Sequence, residues 1–138
     1  MKIYFCGSIA GGRGFLETYK EIVSHLKAAR HNVLTEHIVY ENVLEFERQF
    51  TAEDIYSRDI KMLTECDCVI AEISNPSLGV GYEICFAENL KKPTLCLWMK
   101  GIFVSRMITG NPASTLECNE YSDKKEMLNL VDDFLKKL

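Results

Sequence analysis

Two carboxylic acids, Asp59 and Glu83, draw attention because the residues around them differ in kind. Glu83 closes the run Gly79-Val80-Gly81-Tyr82-Glu83 in the first turns of a helix-forming stretch. There the helix dipole and free amides favour an ionised carboxylate, and the glycines let a ligand approach the backbone. Such a residue is either an ordinary solvated glutamate or a poised nucleophile. Asp59 falls on an apolar stripe with Ile55, Met62, Leu63 and Cys66. A carboxyl on that face must be paired or protonated. It is either salt-bridged, with Arg58 to hand, or a group of raised pKa suited to general acid work. Two carboxyls held in opposite protonation states let one site supply acid and nucleophile together. Retaining glycosidases set such a pair ~5 Å apart, one attacking the anomeric carbon and one assisting departure.

The loop Gly7-Ser8-Ile9-Ala10-Gly11-Gly12-Arg13-Gly14 offers a second kind of chemistry. Its glycines, exposed amides and following helix start suit an anion, with Ser8 and Arg13 adding side-chain donors. The spacing fits neither a dinucleotide fingerprint nor a P-loop, since no Gly-Lys-Ser/Thr follows. Tyr4 interrupts an apolar strand, either as a core aromatic or as a phenol donating to a catalytic carboxylate. Trp98 reads as packing. His37, just after a second strand, is within reach of a ligand from the rim, whereas His25 and His31 have no metal-ligand spacing. Cys6, Cys68, Cys85 and Cys96 sit in apolar patterns as reduced core thiols, and Cys66-Asp67-Cys68 is too tight for a zinc knuckle. No metal and no cofactor are expected.

The elements that must hold these residues alternate. Strands are expected at Ile3–Cys6, Asn32–Leu34, Asp67–Glu72, Pro93–Leu97 and, weakly, Thr115–Cys118. Helices are expected at Leu16–Ala29, from Thr51 with an Asp54 capping box, from Gly79 to Leu90, at Val104–Thr109, and from Lys124 to Leu138. The last buries Met127, Leu128, Val131, Phe134, Leu135 and Leu138, while Glu36–Phe50 reads as largely loop. This alternation implies an α/β fold, a five-stranded parallel sheet of flavodoxin-like order 2-1-3-4-5 in a three-layer sandwich. Ligands then bind between strands one and three, at the loops Gly7–Gly14 and Ser74–Gly81.

The 138 residues fit one domain, with 47% hydrophobic and 26% charged residues. A net charge of −4 without a basic block speaks against a nucleic-acid polymer as partner. No apolar run has membrane-spanning length, and strand-like sequence from Lys2 leaves no room for a signal peptide. A cytoplasmic protein is expected, with the nucleus also open to it.

Taken together, Ile3-Tyr4-Phe5-Cys6-Gly7-Ser8-Ile9, Leu34-Thr35-Glu36-His37, Ala71-Glu72, Pro76-Ser77-Leu78-Gly79-Val80-Gly81-Tyr82-Glu83 and Leu95-Cys96-Leu97 closely resemble the 2′-deoxynucleoside 5′-phosphate N-hydrolases. These belong to the nucleoside 2-deoxyribosyltransferase group, and the similarity runs to about Gly110. The resemblance implies a homodimer with a shared active site that releases a free base and 2-deoxyribose 5-phosphate from a small deoxynucleotide. It implies Glu83 as nucleophile through a glycosyl-enzyme, Tyr4 orienting it, and Asp59 as the acid. Ser8, Ser77 and the first-loop amides from Gly7 to Gly11 would hold the phosphate. Ser105 would reach the neighbouring subunit's phosphate, with Met107 beside it in Ser105-Arg106-Met107. One departure is Ala10, where close relatives carry an Arg; Arg13 is the available substitute. The rivals are a base-exchanging deoxyribosyltransferase, which has no use for the three serines, a phosphoribohydrolase of the cytokinin-activating type, whose Pro-Gly-Gly opening is missing, a non-catalytic nucleotide sensor and, furthest off, a flavin redox protein.

Overall fold

The computed structural model describes residues 1–138. Five parallel strands form one sheet in the order β2-β1-β3-β4-β5. They are β1 (Lys2–Cys6), β2 (Asn32–Val33), β3 (Cys68–Glu72), β4 (Thr94–Met99) and β5 (Leu116–Tyr121). The helices are α1 (Leu16–Ala28), α2 (Val43–Glu47), α3 (Ala52–Glu65), α4 (Leu78–Asn89), α5 (Arg106–Thr109) and α6 (Lys124–Leu135). The sheet order is the one expected from the alternation of apolar runs.

Pleating divides the core in two. Ile3, Phe5, Ile70 and Leu95 pack against α1 and α6, joined by Tyr19, Ile22, Met127 and Phe134. Tyr4, Cys6, Val69, Ala71 and Cys96 point the other way, where Leu63 of α3 and Val80 and Ile84 of α4 cover them. Alternation along β1 therefore decides that Tyr4 faces α3 and α4. The start of α3 is fixed locally. Thr51 Oγ1 accepts from the Asp54 amide at 3.1 Å, and Asp54 Oδ2 accepts from the Thr51 amide at 3.0 Å.

Five expectations need correction. The segment 36–50 is not largely loop: a 3-10 turn spans Glu36–Val39 and α2 follows. Its order comes from non-local contacts, since Arg13 Nη2 donates to Ile38 O at 2.6 Å and Tyr40 O at 3.2 Å. Aromatic packing of Phe46 on His37, Tyr40 and Phe50 completes it. Strand β2 is only two residues long, because the Thr35 hydroxyl takes over the pairing. It accepts from the Phe5 amide at 3.1 Å and donates to Phe5 O at 2.6 Å. At the other edge, β5 matches β4 along all six residues from Leu116 to Tyr121, polar ones included, because ladder bonds need no apolar side chain. Finally, Leu138 is half exposed beyond the end of α6, and Cys85 is exposed on α4 rather than a core thiol.

Candidate active site

The sheet brings Tyr4, Asp59 and Glu83 together. Tyr4 is fully buried on β1, and its phenol donates to Glu83 Oε1 at 2.7 Å. Glu83 lies in the second turn of α4, whose start is capped by Ser77: its Oγ accepts from the Val80 amide at 3.4 Å. Asp59 and Glu83 line one cleft of about 330 Å³ between α3 and α4, walled by Ile55, Tyr56, Gly79 and Tyr82.

The electrostatics of Glu83 depart from those expected of a helix start. Burial raises its pKa from 4.5 to about 7, with the Asp59 and Glu47 charges adding to the rise, while hydrogen bonds from Tyr4 and Cys6 oppose it. The dipole argument failed because desolvation outweighs a helix terminus a turn away. Asp59, for its part, is ion-paired: Arg58 Nε donates to Asp59 Oδ1 at 2.8 Å. Arg58 also reaches Glu47 Oε1 at 3.4 Å. His37 lies nearby as a neutral imidazole, its pKa lowered from 6.5 to about 4 by burial and by Arg58, against the pull of Asp59.

The first loop is built around two close approaches. A Cβ on Gly7 would stand 2.7 Å from the Tyr19 ring, and the Tyr19 hydroxyl accepts from the Ser8 amide at 3.0 Å. A Cβ on Gly11 would meet Pro76 O at 2.5 Å and Ser8 Oγ at 2.7 Å. Asn75 fastens the two loops, donating to Gly11 O at 3.2 Å and Gly12 O at 3.0 Å. The amides of Ile9, Ala10 and Gly11 make no hydrogen bond within the chain, and the buried Ser8 Oγ has no partner. Unspent donors at a helix-bound loop are the raw material of an anion site. Arg13 is employed differently. Its guanidinium lies near Tyr19 and spends Nη1 and Nη2 on the carbonyls of Ser8, Ile38 and Tyr40. Ala10 is exposed on the loop.

Ser105 and Met107 stand apart from the carboxyls. With Phe103 they line a second cavity of about 660 Å³ on the other flank of α4, to which Asn75, Ser77 and Leu78 also contribute. Leu78, Phe103 and Met107 are 97%, 79% and 85% exposed, an apolar surface on one side of the molecule. Sequence reasoning missed Asn75, taken only as part of a turn, and Cys6, taken only as core. It also missed Glu47 as Arg58's second partner, which no local pattern signals.

Comparison with known proteins fits this geometry. The nucleoside 2-deoxyribosyltransferase family model matches residues 3–109. The chain belongs to that family. Similar proteins within it include a 5-hydroxymethyl-dUMP N-hydrolase of Danio rerio, 39% identical over 142 residues and covering 100% of this chain and 98% of that protein. A protein of Methanosarcina mazei, provisionally named 2′-deoxynucleoside 5′-phosphate N-hydrolase 1, is 42% identical, covering 99% of this chain and 84% of its own. Among solved structures, a CMP N-glycosidase of Clostridium botulinum superposes with a TM-score of 0.72 at 18% identity, covering 96% of this chain and 99% of that one. At that identity the family likeness is one of fold.

Proposed function

We propose that the chain hydrolyses the N-glycosidic bond of 2′-deoxynucleoside 5′-monophosphates to free base and 2-deoxyribose 5-phosphate. The observation that carries this reading is the Tyr4–Glu83 hydrogen bond at 2.7 Å, in a cleft that also holds Asp59. Relatives named as N-hydrolases at about this chain's own length support the same reaction.

In the mechanism, Glu83 attacks C1′ as a carboxylate, oriented by Tyr4. A C1′–O bond to Glu83 forms as the C1′–N bond breaks, and Asp59 delivers a proton to the departing base. Asp59 then takes a proton from water, whose oxygen attacks C1′ and releases Glu83. One proton between the two carboxyls suffices: Glu83 needs it off to attack, and Asp59 needs it on to assist departure. A Glu83 pKa of about 7 leaves a substantial share of its carboxylate form available for attack near neutrality.

The free amides of Ile9, Ala10 and Gly11, with the hydroxyls of Ser8 and Ser77, form the 5′-phosphate cradle in this reading. Gly7 and Gly11 keep the loop close to Tyr19 and Pro76, Gly79 lines the cleft with Glu83, and neutral His37 borders the base. Arg13, occupied by carbonyls, shapes the loop more than it compensates for Ala10. Ser105 and Met107 serve the site of a second copy, the exposed Leu78, Phe103 and Met107 being covered in a homodimer. The chain acts as one domain, without a cofactor. No helix is long and apolar enough to cross a membrane, and six free cysteines suit the reducing cytoplasm or nucleus.

The test is incubation with deoxynucleoside monophosphates, deoxynucleosides and ribonucleotides, with and without an acceptor base. Base release confined to deoxynucleotides supports the hydrolase. Transfer of the sugar to the acceptor would make the chain a deoxyribosyltransferase, and binding without release a nucleotide-binding module.

A further inference from the structure

Arg58 stands where two acidic side chains converge. Its Nε donates to Asp59 Oδ1 at 2.8 Å, its Nη2 reaches Glu47 Oε1 at 3.4 Å, and its guanidinium carbon lies 6.0 Å from the Phe50 ring. Consecutive helical residues point about 100° apart, so Arg58 must fold back along α3 to meet Asp59. Glu47, at the end of α2, and Phe50 hold it in that posture. The side chains of Arg58, Asp59 and Glu47 are only 25%, 22% and 21% exposed, so their charges are incompletely screened.

The charges do not balance. Glu47 and Asp59 share a single guanidinium, and Glu83 has no cation of its own. The groups acting on it are Tyr4 and Cys6 from β1, Asp59 from α3 and Glu47 from α2. His37, from the turn before α2, faces Arg58 and Asp59 as a neutral ring. Burial works against the Arg58 charge, but its contacts with Asp59 and Glu47 outweigh that and keep it cationic.

We propose that Arg58 is a positioning residue shared between Asp59 and Glu47, through which the short helix α2 sets the charge against which the Glu83–Asp59 pair holds its proton. Glu47 draws part of the guanidinium away from Asp59 and adds a repelling carboxylate to the charges acting on Glu83. Without that charge, Arg58 is left wholly to Asp59 and the repulsion is gone. The catalytic meaning of this coupling rests on the N-glycosidase reading, whereas the coupling itself is a property of the free protein.

The experiment therefore reads both. Glu and Asp side chains are labelled with ¹³C at their carboxyls and titrated by NMR in wild type, Glu47→Gln and Arg58→Gln, and the pH profile of kcat/KM is recorded for each. Glu47→Gln is expected to lower the apparent pKa values of the pair by about 0.5–1 pH unit, and Arg58→Gln to raise them by a similar amount. The acid limb of kcat/KM should follow in each case. Shifts of the same sign, or none, overturn the proposal. If Arg58→Gln fails to fold by circular dichroism, Glu47→Gln decides alone, and an unmoved titration there is fatal. Opposite shifts in a protein that releases no base would uphold the coupling and sink the hydrolase reading instead.

Discussion

The phenol of Tyr4 and the carboxyl of Glu83 are 79 positions apart in the chain and 2.7 Å apart in the fold. The bond runs from the middle of the interior strand β1 to the second turn of α4. Because the hydroxyl donates to the carboxylate, it opposes the burial that drives the Glu83 pKa upward.

Removing that donor should therefore be visible as a titration. Tyr4→Phe keeps the buried ring and loses only the hydroxyl. The acid limb of kcat/KM is expected to move to higher pH, with turnover below neutrality falling roughly 10- to 100-fold. An unchanged profile would mean that Tyr4 is packing alone.

Glu83→Gln separates chemistry from stability. Loss of the proposed nucleophile should cost roughly 10³-fold or more in kcat while nucleotide binding by calorimetry persists. The fold raises the Glu83 pKa from 4.5 to about 7 and so favours the protonated form. The stability this contributes is complete below about 4.5 and is lost as pH rises through about 7. Glutamine escapes that loss. At about pH 8 the variant should unfold with up to about 3 kcal/mol more free energy than wild type, the gap closing towards pH 4.

The first loop predicts two effects of opposite sign. Gly11→Ala pushes a methyl against Pro76 O and Ser8 Oγ and should raise KM for the 5′-monophosphate. Ala10→Arg, at an exposed position, supplies a bidentate phosphate donor and should lower that KM roughly fivefold or more. Parallel measurements on the unphosphorylated nucleoside check both, since neither change should improve its KM.

Leu78→Asp tests the shared site. Leu78 is 97% exposed at the start of α4, where an acidic residue suits the helix dipole, so the monomer should fold normally. Analytical ultracentrifugation is expected to show a monomer, with turnover reduced roughly 100-fold or more. A fully active monomer would remove Ser105 and Met107 from the site.

What was readable beforehand was local or periodic. Thr51 and Asp54 announce the start of α3 at a spacing set by one helical turn, and the alternating apolar runs imply the sheet order. What escaped depended on partners far along the chain. Order in residues 36–50 comes from Arg13, more than twenty positions earlier, and from aromatic stacking with no period. Glu83 was expected to be ionised because the helix start was visible and the burial was not. Arg58 was named as a partner for Asp59, but its bond to Glu47 crosses from one helix to another.

The interior place of β1 has a consequence for how the chain is made. Its neighbours in the sheet are residues 32–33 on one side and 68–72 on the other. As the chain leaves the ribosome, β1 has no partner until Asn32 and Val33 have followed, and no second one until Cys68 to Ala71 have. Distant strand pairing carries a loop-closure cost before it is rewarded, so the nascent chain carries an unpaired apolar strand through much of its synthesis. Tyr4 is translated well before α4, so its phenol must wait for that helix to emerge before Glu83 can accept its hydrogen bond.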